Sequence, residues 1–254
     1  MIRKTILSLL LAATGVSAQA ALSAGDIAFT SFNADEDGLS FVTFTNIAAN
    51  TTIYFSDNEF VGGAFNSGES YNQWNSGTSA IAAGTVVRLI AYDAATLSTS
   101  AGTLSRVSVS GNTNWGLAAA TETVYAYLGS SATAPTTFLA AITNGSFTTD
   151  GPLTGTGLTE GVNAIRLNTN SPSASPDYAW YIGPRTGETT FDGYKSKVAN
   201  VNNWTVDTTN GSYAATIPDT TAFTISAVPE PKQYAMLLAG LGLLGAIARR
   251  RSSH

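Results

Sequence analysis

The sequence predicts an all-β fold, two stacked sheets carrying few short helices, on three observations. Short runs of β-branched and aromatic residues recur between turn signals from Asp26 to Ala227. Gly, Ser, Thr, Asn and Ala fill most of the small and polar positions, a composition that suits strands and turns. Charged residues make up only 11% of the chain, which argues against long surface helices.

Dense runs at Leu39-Ser40-Phe41-Val42-Thr43-Phe44, Thr52-Ile53-Tyr54-Phe55 and Thr85-Val86-Val87-Arg88-Leu89-Ile90 predict strands packed on both faces. Alternation predicts strands with one wet face at Val107-Ser108-Val109, Val124-Tyr125-Ala126-Tyr127-Leu128 and Phe223-Thr224-Ile225-Ser226-Ala227. Asp37-Gly38, Gly62-Gly63, Ala83-Gly84 and Ser110-Gly111 punctuate them. About eight to twelve strands follow, arranged as two sheets rather than as a parallel α/β layer. One helix is expected near 195–201, where Val198 and Val201 share a face. At 254 residues the chain fits one large domain or two small ones, and a domain of this size buries roughly 70% of its unfolded surface without covalent staples. It needs none from disulfides, because the cysteine count is zero.

The two ends carry addressing signals. In residues 1–20, Arg3 and Lys4 precede the apolar run Ile6 to Ala13, and Ala18 and Ala20 supply small residues at −3 and −1 for a signal peptidase. The mature chain is expected to start at Ala21. Residues 228–254 read in three parts: Val228-Pro229-Glu230-Pro231, the 15 uncharged residues from Tyr234 to Ala248, then Arg249-Arg250-Arg251. As an apolar helix the middle part spans about 22 Å, short of a hydrocarbon core of roughly 30 Å. It crosses only with local thinning, and the arginines hold its end cytoplasmic. Pro229, Glu230 and Pro231, the apolar stretch with Gly240, Gly242 and Gly245, and the Arg cluster together resemble the PEP-CTERM sorting signal. That resemblance implies recognition by exosortase, a membrane-embedded peptidase or transpeptidase. It also implies transient inner-membrane insertion and final placement on the outer surface or outside the cell, often beside extracellular polysaccharide. It says nothing of what the cargo does.

The mature domain, residues 21–227, has a resemblance of its own. Gly25-Asp26-Ile27-Ala28-Phe29, Phe32-Asn33-Ala34-Asp35, Ile53-Tyr54-Phe55-Ser56-Asp57-Asn58, Asn114-Trp115-Gly116-Leu117 and Gly161-Val162-Asn163-Ala164 are similar to bacterial lamin-tail-like domains. This implies an immunoglobulin-like β-sandwich, a module that accompanies catalytic domains elsewhere and stands here without one.

Residue types then narrow the chemistry. Between 21 and 227 there are six basic and sixteen acidic residues, a net charge of about −10 that repels phosphate backbones and disfavours nucleic acid as a partner. The one histidine is His254, past the expected cut, so a Ser-His-Asp triad or a histidine-built zinc site has no parts in the mature domain. Carboxylate chemistry stays open, and Glu59, Glu69 and Glu122 are the glutamates to watch for an extracellular glycan hydrolase. Asn33, Asp35, Glu36 and Asp37 before Gly38, with Asp57, Asn58 and Glu59, form the densest oxygen cluster. Asp35, Asp37 and Asp57 are thus candidate calcium ligands, as in a calcium-dependent adhesin, although Asp and Asn serve hairpin turns equally well. Trp74, Trp115, Trp180 and Trp204, with Tyr71, Tyr178 and Tyr181, offer either a sugar-stacking platform or core packing, and alternation places Trp180 in the core. The expected function is an exported, non-enzymatic binding or structural module that uses no resident cofactor other than calcium.

Overall fold

The computed structural model describes residues 21–227, 236–241, 243–244 and 249. Fourteen strands occur among them, above the expected number, because several are two or three residues long. In chain order they are β1 (Ile27–Asn33), β2 (Gly38–Thr43), β3 (Thr52–Ser56), β4 (Phe60–Val61), β5 (Ala64–Phe65), β6 (Tyr71–Asn75), β7 (Val86–Ile90), β8 (Ser98–Thr99), β9 (Thr103–Arg106), β10 (Thr123–Ser131), β11 (Ala134–Thr143), β12 (Ala164–Arg166), β13 (Tyr178–Tyr181) and β14 (Trp204–Val206). One six-stranded sheet has the order β14-β13-β1-β2-β7-β8 and the other β12-β11-β10-β3-β6-β9. Every pairing is antiparallel except β11 with β12. The all-β expectation holds.

The two sheets meet through aromatic rings. Phe29 and Phe41, register partners on β1 and β2, contact Phe55 of β3 at centroid distances of 6.2 and 5.8 Å, and Phe41 meets Trp74 of β6 edge-on at 5.4 Å. All four are fully buried, and rings of this size dominate the energetics of a core. The second sheet is covered on its other face as well. Tyr125, Tyr127 and Phe138 pack there under Phe60 and Phe65 of the β4–β5 hairpin. Gly62 and Gly63 turn that hairpin with φ of +63° and +90°, the double positive φ that a two-residue turn of the right twist demands.

This second layer corrects one expectation. Val124 to Tyr127 alternates in polarity, yet all four residues are fully buried, because tyrosines line the outer cluster while Val124 and Ala126 line the inner one. The other two alternating runs are not strands: Val109 and Ile225 form only isolated bridges, to Asn112 and Glu188. The helix near 195 is present as Lys195–Val198, between 3-10 turns at Phe191–Tyr194 and Val201–Asn203, with Val198 buried.

A strap formed by residues 219–226 closes the domain. Phe223 donates its N–H to the Gly84 carbonyl at 2.8 Å, and a Cβ on Gly84 would lie 2.2 Å from the Phe223 carbonyl oxygen, so only glycine admits the strap there. Arg185, 8% exposed, donates to the carbonyls of Thr221 and Asp219 and lies 4.8 Å above the Phe223 ring. The Tyr194 hydroxyl donates to the Thr224 carbonyl at 2.6 Å. Beyond the strap, residues 236–241 and 243–244 are helical and exposed, and no helix among the described residues is long and apolar enough to cross a membrane. Ala18, Ala20, Pro229, Glu230, Pro231, Arg250 and Arg251 lie outside the described residues, and Arg249 is helical and exposed.

Candidate functional site

Three neighbouring strands of the second sheet, β6, β3 and β10, bring polar side chains to one end of an otherwise apolar inner face. Phe55 faces the inter-sheet core, so Asp57, two residues further along, lies on the same side. Asn72 is the register partner of Phe55 and shares its face. Val124 and Ala126 line the core, and Glu122 stands two residues before Val124. Glu69, in the approach to β6, completes the group: one carboxylate oxygen from each of Asp57, Glu69 and Glu122 lies within 4.8 Å of the others.

The backbone around these acids is tightly held. Asp57 is 1% exposed, and its Oδ1 accepts from the Ser70 N–H at 2.7 Å and the Ser70 hydroxyl at 2.9 Å. Asn58, also buried, donates to the Ser70 carbonyl at 3.0 Å and accepts from the Glu69 N–H at 3.2 Å. Glu122 Oε2 accepts from the Ala118 N–H at 2.8 Å, while its own N–H donates to Asn144 Oδ1 at 2.7 Å. Other oxygens face inward without partners, namely Asp57 Oδ2 and Glu69 Oε2. The Asn72 amide and the Tyr92 hydroxyl, both fully buried, face each other. Tyr92 follows β7 and enters from the opposite sheet, against the Asn72 side chain and close enough to Asp57 and Glu122 to feel their charge.

Burial in this setting penalises charge. It pushes the Asp57 carboxyl up to about 6, against the hydrogen bonds from Ser70 that favour the ionised form. Burial, and then the charges of Asp57 and Glu59, raise Glu69 to about 7. Burial, and then Asp57, raise Glu122 to about 9. Burial likewise pushes the Tyr92 hydroxyl well above its ordinary value, so it stays a neutral donor or acceptor. Arg106, the register partner of Asn72, donates to the main-chain carbonyls of Tyr92 and Asp93.

Of the candidate calcium ligands read from the sequence, Asp57 belongs to this group, which is made up without Asp35 and Asp37. The carboxylate of Asp35 accepts from the Tyr213 N–H and that of Asp37 from the Leu117 N–H. Asn33 Oδ1 accepts from the N–H groups of Asp35 and Glu36 at 3.1 and 3.2 Å, and Asp37 sits at φ +57°, as side-chain-supported turns require. Two of the three watched glutamates are in the group, while Glu59 is tied to Asn66 across the β4–β5 hairpin. A glycosidase needs its acids about 5–5.5 Å or about 6.5–9.5 Å apart across a sugar. Two of these acids, Asp57 and Glu122, are buried, which leaves a sugar ring no access to the group.

The aromatic residues divide differently. Trp74 and Trp204 are buried, and Trp115 is half-buried under the Arg106 guanidinium at 4.8 Å. Trp180 is half-buried and not in the core, because Ala179 and Tyr181 take the inner face of β13 and leave 178 and 180 on the outer one. There Trp180 packs on Tyr178 at 4.8 Å, and Tyr213 stacks on the far side of Tyr178 at 4.5 Å. A polar cleft of about 540 Å³ opens elsewhere, lined by Glu160, Arg166, Asn170, Ser196, Asn200 and Asn202 among others.

Residues 227–252 match the PEP-CTERM protein-sorting motif. The motif begins one residue after Ser226, whose N–H donates to the Glu188 carbonyl at 2.7 Å at the end of the strap. The class this defines is a β-rich secreted protein sorted by exosortase. No curated protein and no solved structure matches the chain.

Proposed function

We propose that the protein is a cell-surface or extracellular-matrix module without catalytic activity of its own, cut by exosortase near Pro229-Glu230-Pro231 and working beside extracellular polysaccharide. The observation that carries this reading is the sorting motif at 227–252, set directly behind a closed β domain. Two features support the non-enzymatic part: residues 21–227 contain no histidine and no cysteine, and the carboxylate group of Asp57, Glu69 and Glu122 is too buried for glycoside hydrolysis. Two facing sheets with an aromatic seam suit a lamin-tail-like module of immunoglobulin type. The 15-residue apolar stretch acts as a temporary inner-membrane insertion, removed when the domain is released or transferred.

Intact-mass spectrometry of the protein from its native host, beside a strain lacking exosortase, tests this. The expected result is loss of a C-terminal fragment in the first strain alone. Identical C-terminal masses in both strains overturn it.

A further inference from the structure

We infer that Asp57, Glu69 and Glu122 form a divalent-cation site of calcium type that closes one end of the sandwich. This stands apart from sorting, since it concerns the interior of the domain and not its tail. The donors flank the ends of three adjacent strands, β3, β6 and β10, so an ion there pins that edge of the second sheet.

Acid clusters on protein surfaces are common and need no ion. This one differs in what surrounds it. Asp57 is 1% exposed and its Oδ2 has no partner, and Oε2 of the half-buried Glu69 has none either. Buried polar atoms are nearly always satisfied, and an unsatisfied group in the interior costs about 1–3 kcal/mol. Two buried carboxylate oxygens without a donor, Asp57 Oδ2 and Glu69 Oε2, set beside the buried Glu122 carboxyl, describe a shell whose central member is a cation.

The donor set selects the ion. All the donors are oxygens, carboxylate for the most part, with an amide and a phenol in support, and no histidine or thiolate is present to favour zinc or copper. A point equidistant from three oxygens that lie within 4.8 Å of one another is at most about 2.8 Å from each, close to calcium's range of about 2.3–2.6 Å. Calcium also tolerates irregular oxygen shells, whereas magnesium demands near-ideal octahedral geometry. Three carboxylates against a double charge leave little net charge in the interior, a neutrality that the bare cluster reaches only by holding protons.

The test uses the exported protein purified from its host, stripped with EGTA. Calorimetric titration with calcium chloride is expected to show one site per chain. Terbium is expected to bind with luminescence sensitised through Tyr92, and calcium to displace it. Calcium should raise the melting temperature by several degrees, and magnesium at equal concentration by less. Asp57→Asn should abolish binding; because Asp57 also holds Ser70, Glu69→Gln serves as the second variant, its carboxylate being without a hydrogen-bond donor. Folded Glu69→Gln should bind calcium at least tenfold more weakly. A wild-type protein giving neither heat nor thermal shift overturns the inference. So does a Glu69→Gln protein that binds calcium like the wild type, which would move the ion to another site, such as the Asp35–Asp37 turn.

Discussion

Removing one charge from the interior cluster should stabilise the chelated protein, and Glu69→Gln makes that change with the least collateral loss. Two unit charges no more than 4.8 Å apart repel by at least about 3 kcal/mol at an effective dielectric of about 20, so the full trio does not ionise together. The protein avoids the repulsion by retaining protons, which sets a ceiling on the gain. Glu69 is raised from 4.5 to about 7, and drawing a proton onto it at neutral pH costs at most about 3 kcal/mol. Its side chain is partly exposed, and solvent screening reduces this to about 1–2 kcal/mol. For a domain of this size that is a rise of about 3–6 °C in melting temperature. The assay is differential scanning calorimetry of wild type and variant at pH 7 in EGTA, repeated in millimolar calcium. The variant is expected to melt higher in EGTA, and calcium is expected to raise the wild type while leaving the variant nearly unmoved. A variant that melts at or below the wild type in EGTA refutes the electrostatic account, whatever calcium does.

Other consequences are as direct. In EGTA the wild-type stability should decline as pH rises from about 4 to 9: carboxyls raised to about 6, 7 and 9 contribute most below their unfolded values and lose that contribution as pH passes through the folded ones, a slope readable in urea titrations. Phe55→Ala opens a cavity at the meeting of Phe29 and Phe41 and should cost about 3–5 kcal/mol, measured as a lower urea midpoint with an unchanged slope. Arg185→Ala strips the strap carbonyls of Thr221 and Asp219 of their donor and should cost about 3 kcal/mol, with new proteolytic cuts mapped by mass within 217–226.

The sequence carried the strand content through its dense apolar runs, since Leu39 to Phe44, Thr52 to Phe55 and Thr85 to Ile90 all became sheet centres. Its alternating runs misled. Period two reports one buried face only where the other face is wet, and the hairpin holding Phe60 and Phe65 dried the far side of Tyr125 and Tyr127. Conversely Phe223 to Ala227 alternates without pairing, because its polar atoms are satisfied by Arg185, Glu188 and Gly84 across the strap. The acid site was half legible. Asp57, Glu69 and Glu122 each stood out as acids, but they lie 12 and 53 positions apart in sequence, and only the pairing of β3 with both β6 and β10 joins them. Parity held the missing signal: once Phe55 is assigned to the core, Asp57 follows on the same face, and an aspartate on a core face asks for a partner. Local density pointed instead to Asp35 and Asp37, whose crowding reflects a turn with backbone amides to satisfy.

A domain with this much aromatic burial has no need of interior carboxylates for cohesion. Apolar side chains of similar volume usually serve stability as well or better than buried charge. Three acids gathered at one end of the core, two of them with an oxygen that has no donor, are therefore a liability in the bare protein, offset only by protons. Extracellular calcium modules bind with dissociation constants of about 10⁻⁴ to 10⁻³ M, tuned to the medium beyond the cell. The tail at 227–252 sends the domain to that medium. Export and ion capture then become successive steps: once outside, the sheets are joined by aromatic contacts over a protonated acid cluster, and the ion replaces the protons there.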